Sequence, residues 1–225
     1  MTRFPATRGV PEFTTFASLL RMATKYGFSN LRERLVEDLK CAYPTKWEDF
    51  EAAKVLGEDI FGSPKPHPNA VLNLFAAQGV KFAIPFASYR ASTGGLSALM
   101  SDGPGTALPR HTLARTIYGM GLSLRRMASA AYTIAYVRNL GVCPERACVL
   151  NVGIDPPEGR KEALRKIYKV LSDERRGGPL GALSLGDLAC PKCTDELATY
   201  HTAWRRACWE RLPATFVDAR SWDEV

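Results

Sequence analysis

No apolar run in this chain approaches the roughly 20 residues of a helical membrane span. The opening MTRFPATRGVPEF has no apolar h-region of the kind a secretory signal needs. Histidine is scarce: His67, His111 and His201 are the only three in 225 residues, which leaves histidine-based catalysis few options. The phosphate-cradling G-x-x-x-x-G-K-S/T, the nucleophile elbow G-x-S-x-G and the zinc-protease H-E-x-x-H are all missing. There is no period-2 strand pattern of any length, no internal repeat and no low-complexity tract. Together these absences point away from enzymes, from membrane spans and from β-rich folds.

What is present is an ordinary globular composition, 46% hydrophobic and 24% charged, long enough for one large domain or two small ones. Without a leader the expected location is intracellular, cytoplasm or nucleus. Six cysteines there read as thiols or metal ligands before disulfides. The net charge is +7, but it is spread evenly, +3 over residues 1–112 and +4 over 113–225. A nucleic-acid footprint gathers its basic residues on one face or stripe. A solvated basic surface is therefore the favoured reading and nucleic-acid binding the alternative.

Helical periodicity organises the chain. Phe16, Leu19, Leu20 and Ala23 share one face of a first helix. Gly27 can end that helix in the left-handed conformation, Ser29 can cap the next, and Leu31, Leu35 and Leu39 form its apolar stripe. Thr45 and Glu48 have the spacing of a capping box for a helix to about Ile60, carrying Trp47, Phe50, Val55 and Leu56. The prolines at 64, 66 and 68 make 62–68 a loop. A helix from about Asn69 to Gln78 buries Val71, Leu74 and Phe75 and stops at Gly79. Val80–Ile84 and Val149–Val152 read as short extended pieces. Pro85 opens another helix, which ends at Gly94-Gly95. SDGPGTAL, 101–108, is the clearest surface loop and the expected mobile one.

Pro109 opens the longest helix, to about Leu140, with Leu113, Ile117, Met120, Leu124, Met127, Ala131 and Ile134 along a seam and a kink or break expected near Gly119. Further helices are expected over 158–172 and from about Thr194 to Leu212, separated by a glycine-rich loop at 177–181. Leu197, Tyr200, His201, Trp204 and Cys208 share a face of the last one. The fold class is mainly α: an irregular multi-helix domain with an N-terminal helical hairpin and a C-terminal segment that zinc could stabilise. The four tryptophans, Trp47, Trp204, Trp209 and Trp222, read as packing residues.

The strongest chemical signal is Cys143-Pro144-Glu145-Arg146-Ala147-Cys148 with Cys190-Pro191-Lys192-Cys193. Zinc takes four thiolates in a tetrahedron, and two pairs in tight turns can each supply two. Four residues separate the first pair and 41 lie between the pairs, looser than compact zinc patterns. Three readings stand side by side: one structural zinc on Cys143, Cys148, Cys190 and Cys193, four reduced thiols, or a redox pair at Cys190 and Cys193. The redox reading lacks the βαβ context of a thioredoxin-like motif. His201 reads as a core histidine and as the first substitute ligand. Cys41 and Cys208 read as small buried hydrophobes. No catalytic or cofactor-binding residue is singled out.

Leu19, Leu20, Ala23, Lys25, Tyr26, Leu31 and Leu39 match a phrase typical of the closing helix pair of a BTB/POZ domain. AYPTKWEDF, HPNAVLNLF, AIPFASYRAS, VCPERAC, LSLGDLACPKC and the run from His201 to Phe216 follow in an order that resembles fungal BTB-domain proteins of unknown function. The resemblance implies a protein-interaction module, with an adaptor among its expected roles, rather than an enzyme. It also implies that the strand-and-helix core of the BTB fold, with its dimer interface, lies upstream of this chain. Residues 1–44 would then be the remnant closing pair with a flexible N-terminus, and 45–225 a helical C-terminal domain. A protein partner is expected; its identity and the oligomeric state are left open.

Overall fold

A computed structural model describes residues 12–53, 61, 65–103, 105–133, 143, 148, 164–169, 180–181 and 190–225. The protein is mainly helical, with no strand among the described residues. The chain divides into two compact units, residues 1–117 with 212–225, and residues 118–211. None of the described helices is long and apolar enough to cross a membrane.

The first unit holds helices α1 (Phe13–Lys25), α2 (Ser29–Ala42), α3 (Trp47–Ala53), α4 (Pro68–Gln78), α5 (Ile84–Thr93) and α6 (Gly95–Leu99). The first helical turns of α7 (Arg110–Tyr132) also belong to it. Phe16, Leu20 and Ala23 of α1 are buried, and Leu19 is half-buried, as the stripe predicts. Gly27 takes φ +68°, which costs glycine little and lets α1 turn into α2. Ser29 is the first residue of α2 rather than its cap: Phe28 holds the cap position, and the Ser29 N–H donates to the Gly27 carbonyl at 2.8 Å.

Helix α5 sits at the centre of this unit and packs against α4, α6 and the helix Leu212–Phe216. Pro85, Phe86, Ala87, Ser88, Tyr89, Ala91 and Ser92 are all buried, so the helix is enclosed almost all round. Phe86 meets Tyr43, Phe50 and Tyr89 at ring separations of 5.9, 5.7 and 6.2 Å. Tyr43 also stands edge-on to Phe75 at 4.8 Å. Tyr43 directly follows α2, so these contacts place the α1–α2 hairpin in the same core as α4 and α5. The division expected after Pro44 is therefore corrected: residues on both sides of it share one unit. The physical reason is aromatic. Tyr43 is spent inside the core, and Phe61 adds ring contacts to Phe13 and Phe16 at 5.1 and 5.3 Å.

Several local expectations shift by a residue or a conformation. Helix α3 starts at Trp47, and its first backbone bond reaches back to Lys46, one residue past the expected cap at Thr45. Residues 54–60, the rest of that expected helix, lie outside the described residues, as does Val149–Val152. Helix α4 starts at Pro68, with His67 as its cap: the His67 Nδ1 accepts from the Asn69 N–H at 3.2 Å. His67 thus has a structural role where the sequence reads only a loop. Buried Asn69 donates from its amide to the Ala98 and Leu99 carbonyls at 3.1 and 3.2 Å, which closes the end of α6. Gly79 ends α4 at φ +65°. Val80–Ile84 is not extended: Lys81–Ala83 forms a 3-10 turn that feeds directly into α5.

The loop 101–108 is pinned. The Thr106 hydroxyl donates to the Gly103 carbonyl at 2.9 Å. Asn73 of α4 donates to the Gly105 and Ala107 carbonyls at 3.1 and 2.9 Å. A glycine- and proline-rich composition predicts mobility, but one asparagine amide satisfies two backbone acceptors and holds the loop to a helix.

Helix α7 runs as one helical span through Gly119 and Gly121, so the break expected near Gly119 is absent. The seam holds only in part. Met127 and Ala131 are buried, whereas Leu124 is 42% exposed and Leu113, Ile117 and Met120 are half-buried. Residues 134–140 lie outside the described residues. The division between the units falls at Ile117/Tyr118, within this helix. The second unit holds the remainder of α7, helical residues 164–169 and helix α8 (Pro191–Glu210). The chain then returns to the first unit with α9 (Leu212–Phe216), where Arg115 donates to the Ala214 carbonyl at 3.1 Å.

Candidate metal centre

Helix α8 positions half of the centre. It begins at Pro191, three residues earlier than the sequence reading has it. Proline suits the first helical position because its missing N–H would have no intrahelical partner there. Cys190 becomes the extended cap residue, with φ −68° and ψ 161°. Cys193 lies in the first turn, three residues on, and therefore on the same side of the helix. Cys143 and Cys148 complete the set.

The four sulfurs all lie within 4.8 Å of one another. The Cys143 and Cys190 sulfurs are 3.4 Å apart. The Cys190 backbone N–H donates to the Cys148 sulfur at 3.4 Å. A tetrahedral ion with metal–sulfur bonds of about 2.3 Å has sulfur–sulfur edges of about 3.8 Å, so the cluster has the right size. Four sulfurs leave no position open to a substrate, which is the arrangement of a structural rather than a catalytic site. The arrangement is compatible with a structural metal site.

The surroundings are apolar. Cys143, Cys148 and Cys193 are buried with Ala130, Ala131, Ile167 and Leu197, and Leu164, Tyr168, Tyr200 and Trp204 pack around them. This environment divides the thiols electrostatically. The Cys193 backbone N–H beside the Cys190 sulfur, and after it the Cys143 thiol, hold Cys190 below the ordinary thiol value. Burial first, and then the neighbouring thiols, push Cys193 up. A cation inside the cluster would reverse that second effect, because coordination deprotonates a thiol outright. All six cysteines are without disulfides.

His201 stays out of the cluster. It is buried, its ring lies 5.6 Å from that of Trp204, and the core reading of this residue holds. Burial, and then the charge of Arg205, lower its pKa to about 4. The Arg205 guanidinium is itself anchored, donating from Nε to the Leu180 carbonyl at 2.8 Å. Cys208 is buried as expected, and burial pushes its thiol up to about 11. Cys41 is exposed, which corrects the expectation of a buried thiol: it lies on the α2 face opposite Leu35 and Leu39.

The depressed His201 gives a signed pH dependence. Above about pH 6.5 the histidine is neutral in both states and contributes no slope. Between there and about pH 4 the unfolded chain binds a proton that the folded chain refuses, so stability falls as pH falls. The full effect is about 3 kcal/mol and levels off below the folded pKa. Urea unfolding of wild type and His201→Gln across this range should show the extra acid loss in wild type alone. Equal slopes would contradict the buried neutral histidine. Acid effects on the thiols are common to both proteins and cancel in the difference.

A second surface feature was not read from the sequence. Met22, Tyr26 and Phe28, at the turn between α1 and α2, are 50%, 59% and 54% exposed. The Tyr26 and Phe28 rings lie 6.2 Å apart, and the Lys25 ammonium is 5.3 Å from the Tyr26 ring centre. The signal was available: Met22 and Tyr26 are four residues apart and lie off the stripe of Phe16, Leu20 and Ala23. Comparison with known proteins adds no assignment: no family model, curated protein or solved structure matches the chain.

Proposed function

We propose that this chain is a non-catalytic protein-interaction module whose second unit is built around one structural zinc on Cys143, Cys148, Cys190 and Cys193. The observation that carries the interaction reading is the exposed Met22, Tyr26 and Phe28 cluster. Aromatic and methionine side chains are enriched where proteins meet, and three together at one turn make a focused apolar patch. The resemblance of the α1–α2 hairpin to the closing helices of a BTB domain supports the same reading, with an adaptor as the biological role. Zinc is favoured by the donor set, since four sulfurs in tetrahedral reach select zinc or iron over harder ions. Six cysteines without a disulfide support an intracellular location, cytoplasm or nucleus.

Tyr26→Ala combined with Phe28→Ala tests the surface. Both side chains are exposed, so the double variant should unfold within about 0.5 kcal/mol of wild type. Quantitative co-purification should show proteins held by wild type and lost from the variant. A partner set unchanged by the double substitution would contradict the assignment of this patch.

A further inference from the structure

The four sulfurs differ in access. Cys143, Cys148 and Cys193 are 3%, 7% and 5% exposed, whereas Cys190 is half-buried at the cap of α8. Its sulfur lies 3.4 Å from that of Cys143. We propose that Cys190 and Cys143 form an oxidisable pair, so that a two-electron oxidant of the hydrogen peroxide class joins them as a disulfide and releases the metal. The inference rests on the zinc reading above and adds a reactivity to it.

The chemistry balances in two steps. The Cys190 thiolate attacks one peroxide oxygen, the O–O bond breaks, and a sulfenic acid forms with loss of hydroxide. The Cys143 thiolate then attacks the Cys190 sulfur, forming the S–S bond and expelling a second hydroxide. Two sulfurs have lost one electron each, the peroxide has gained both, and two solvent protons turn the hydroxides into water. The sulfurs need to close from 3.4 Å to a bond of about 2.05 Å, a movement within reach of side-chain rotation. Cys148 is the poorer resolving group, because its sulfur already accepts the Cys190 N–H. Once the disulfide forms, Cys148 and Cys193 alone face the ion, half of the four ligands that a closed zinc site uses.

The full chain is tested with Cys41→Ser, which removes the exposed thiol and the intermolecular disulfides it would form. The protein is assayed for metal, titrated with hydrogen peroxide beside a zinc-sensitive dye, then alkylated and mapped by mass spectrometry. Zinc release should rise in step with a Cys143–Cys190 disulfide, and dithiothreitol with added zinc should reverse both. A first disulfide at Cys190–Cys193 or Cys143–Cys148 would overturn the pairing. Zinc retained through full oxidant excess would overturn the release while leaving the zinc reading intact. Absence of zinc at the outset would sink the zinc reading and the release with it, and the disulfide map of that sample would still decide the pair.

Discussion

Chelating the proposed zinc is expected to unfold the second unit, residues 118–211, while the first stays folded. The described apolar residues around the thiols are lean: Ala130, Ala131, one isoleucine and one leucine are buried there, with tyrosines and Trp204 only partly covered. Burial of a single large aliphatic side chain contributes about 1.5–3 kcal/mol. A structural zinc contributes about 10–16 kcal/mol in small zinc-dependent folds, as much as the whole stability of a typical domain. Removal of one ligand should act like the chelator, because the three thiols that remain no longer close a four-sulfur site and the stabilisation from the ion is lost with it. Cys193→Ser is the sharpest choice, since it leaves the apolar shell and the proline start of α8 in place. Hydrogen exchange resolves the outcome along the chain. Protection across 190–211 should fall by orders of magnitude in the variant and in the chelated protein, and protection in α4 and α5 should persist. Unchanged protection in α8 would mean that packing alone holds the second unit.

Phe86→Ala should strongly destabilise the first unit, independently of metal. Phe86 is fully buried and touches three other rings. Truncating a phenylalanine in a core costs about 3–5 kcal/mol, through lost transfer energy and the cavity left behind. Edge-to-face contacts of the kind it makes with Phe50 add about 0.5–1.5 kcal/mol each beyond area. Denaturant unfolding should show this loss in the transition that reports on Tyr43 and Trp47, with metal content unaltered. A loss below about 1 kcal/mol would mean that neighbouring side chains collapse into the space.

The two units were unequally legible in the sequence. Periodicity located α1, α2 and α4 because their buried residues fall on one face, Pro85 and Gly94-Gly95 bracketed α5, and Gly27 and Gly79 mark real left-handed turns. It could not place Tyr43. A tyrosine beside a proline reads as a boundary, and only long-range contact with Phe75 and Phe86 makes it core. Loop composition gave no sign of the contact at 101–108 for a similar reason: Asn73, which bonds to the loop, is some thirty residues away and looks like an ordinary helix-surface residue.

The candidate site was legible in its members and not in its geometry. The two cysteine pairs stand out by spacing, yet 41 intervening residues give no measure of whether they meet. The structure brings the four sulfurs together, and the early start of α8 explains how Cys190 and Cys193 come to face one point. The first-turn position of Pro191 was the available clue. His201 was a plausible substitute ligand by position, but its ring is taken up by the core beside Trp204. The access difference between Cys190 and its three partners has no sequence signature, because it depends on what packs over each sulfur.

Elemental analysis of the full chain, purified under reducing conditions without chelator, tests the central claim most directly. About one zinc per chain is expected in wild type, falling to background in Cys190→Ser and Cys193→Ser. Folded wild-type protein that carries no metal would contradict the zinc centre and leave four packed thiols in its place.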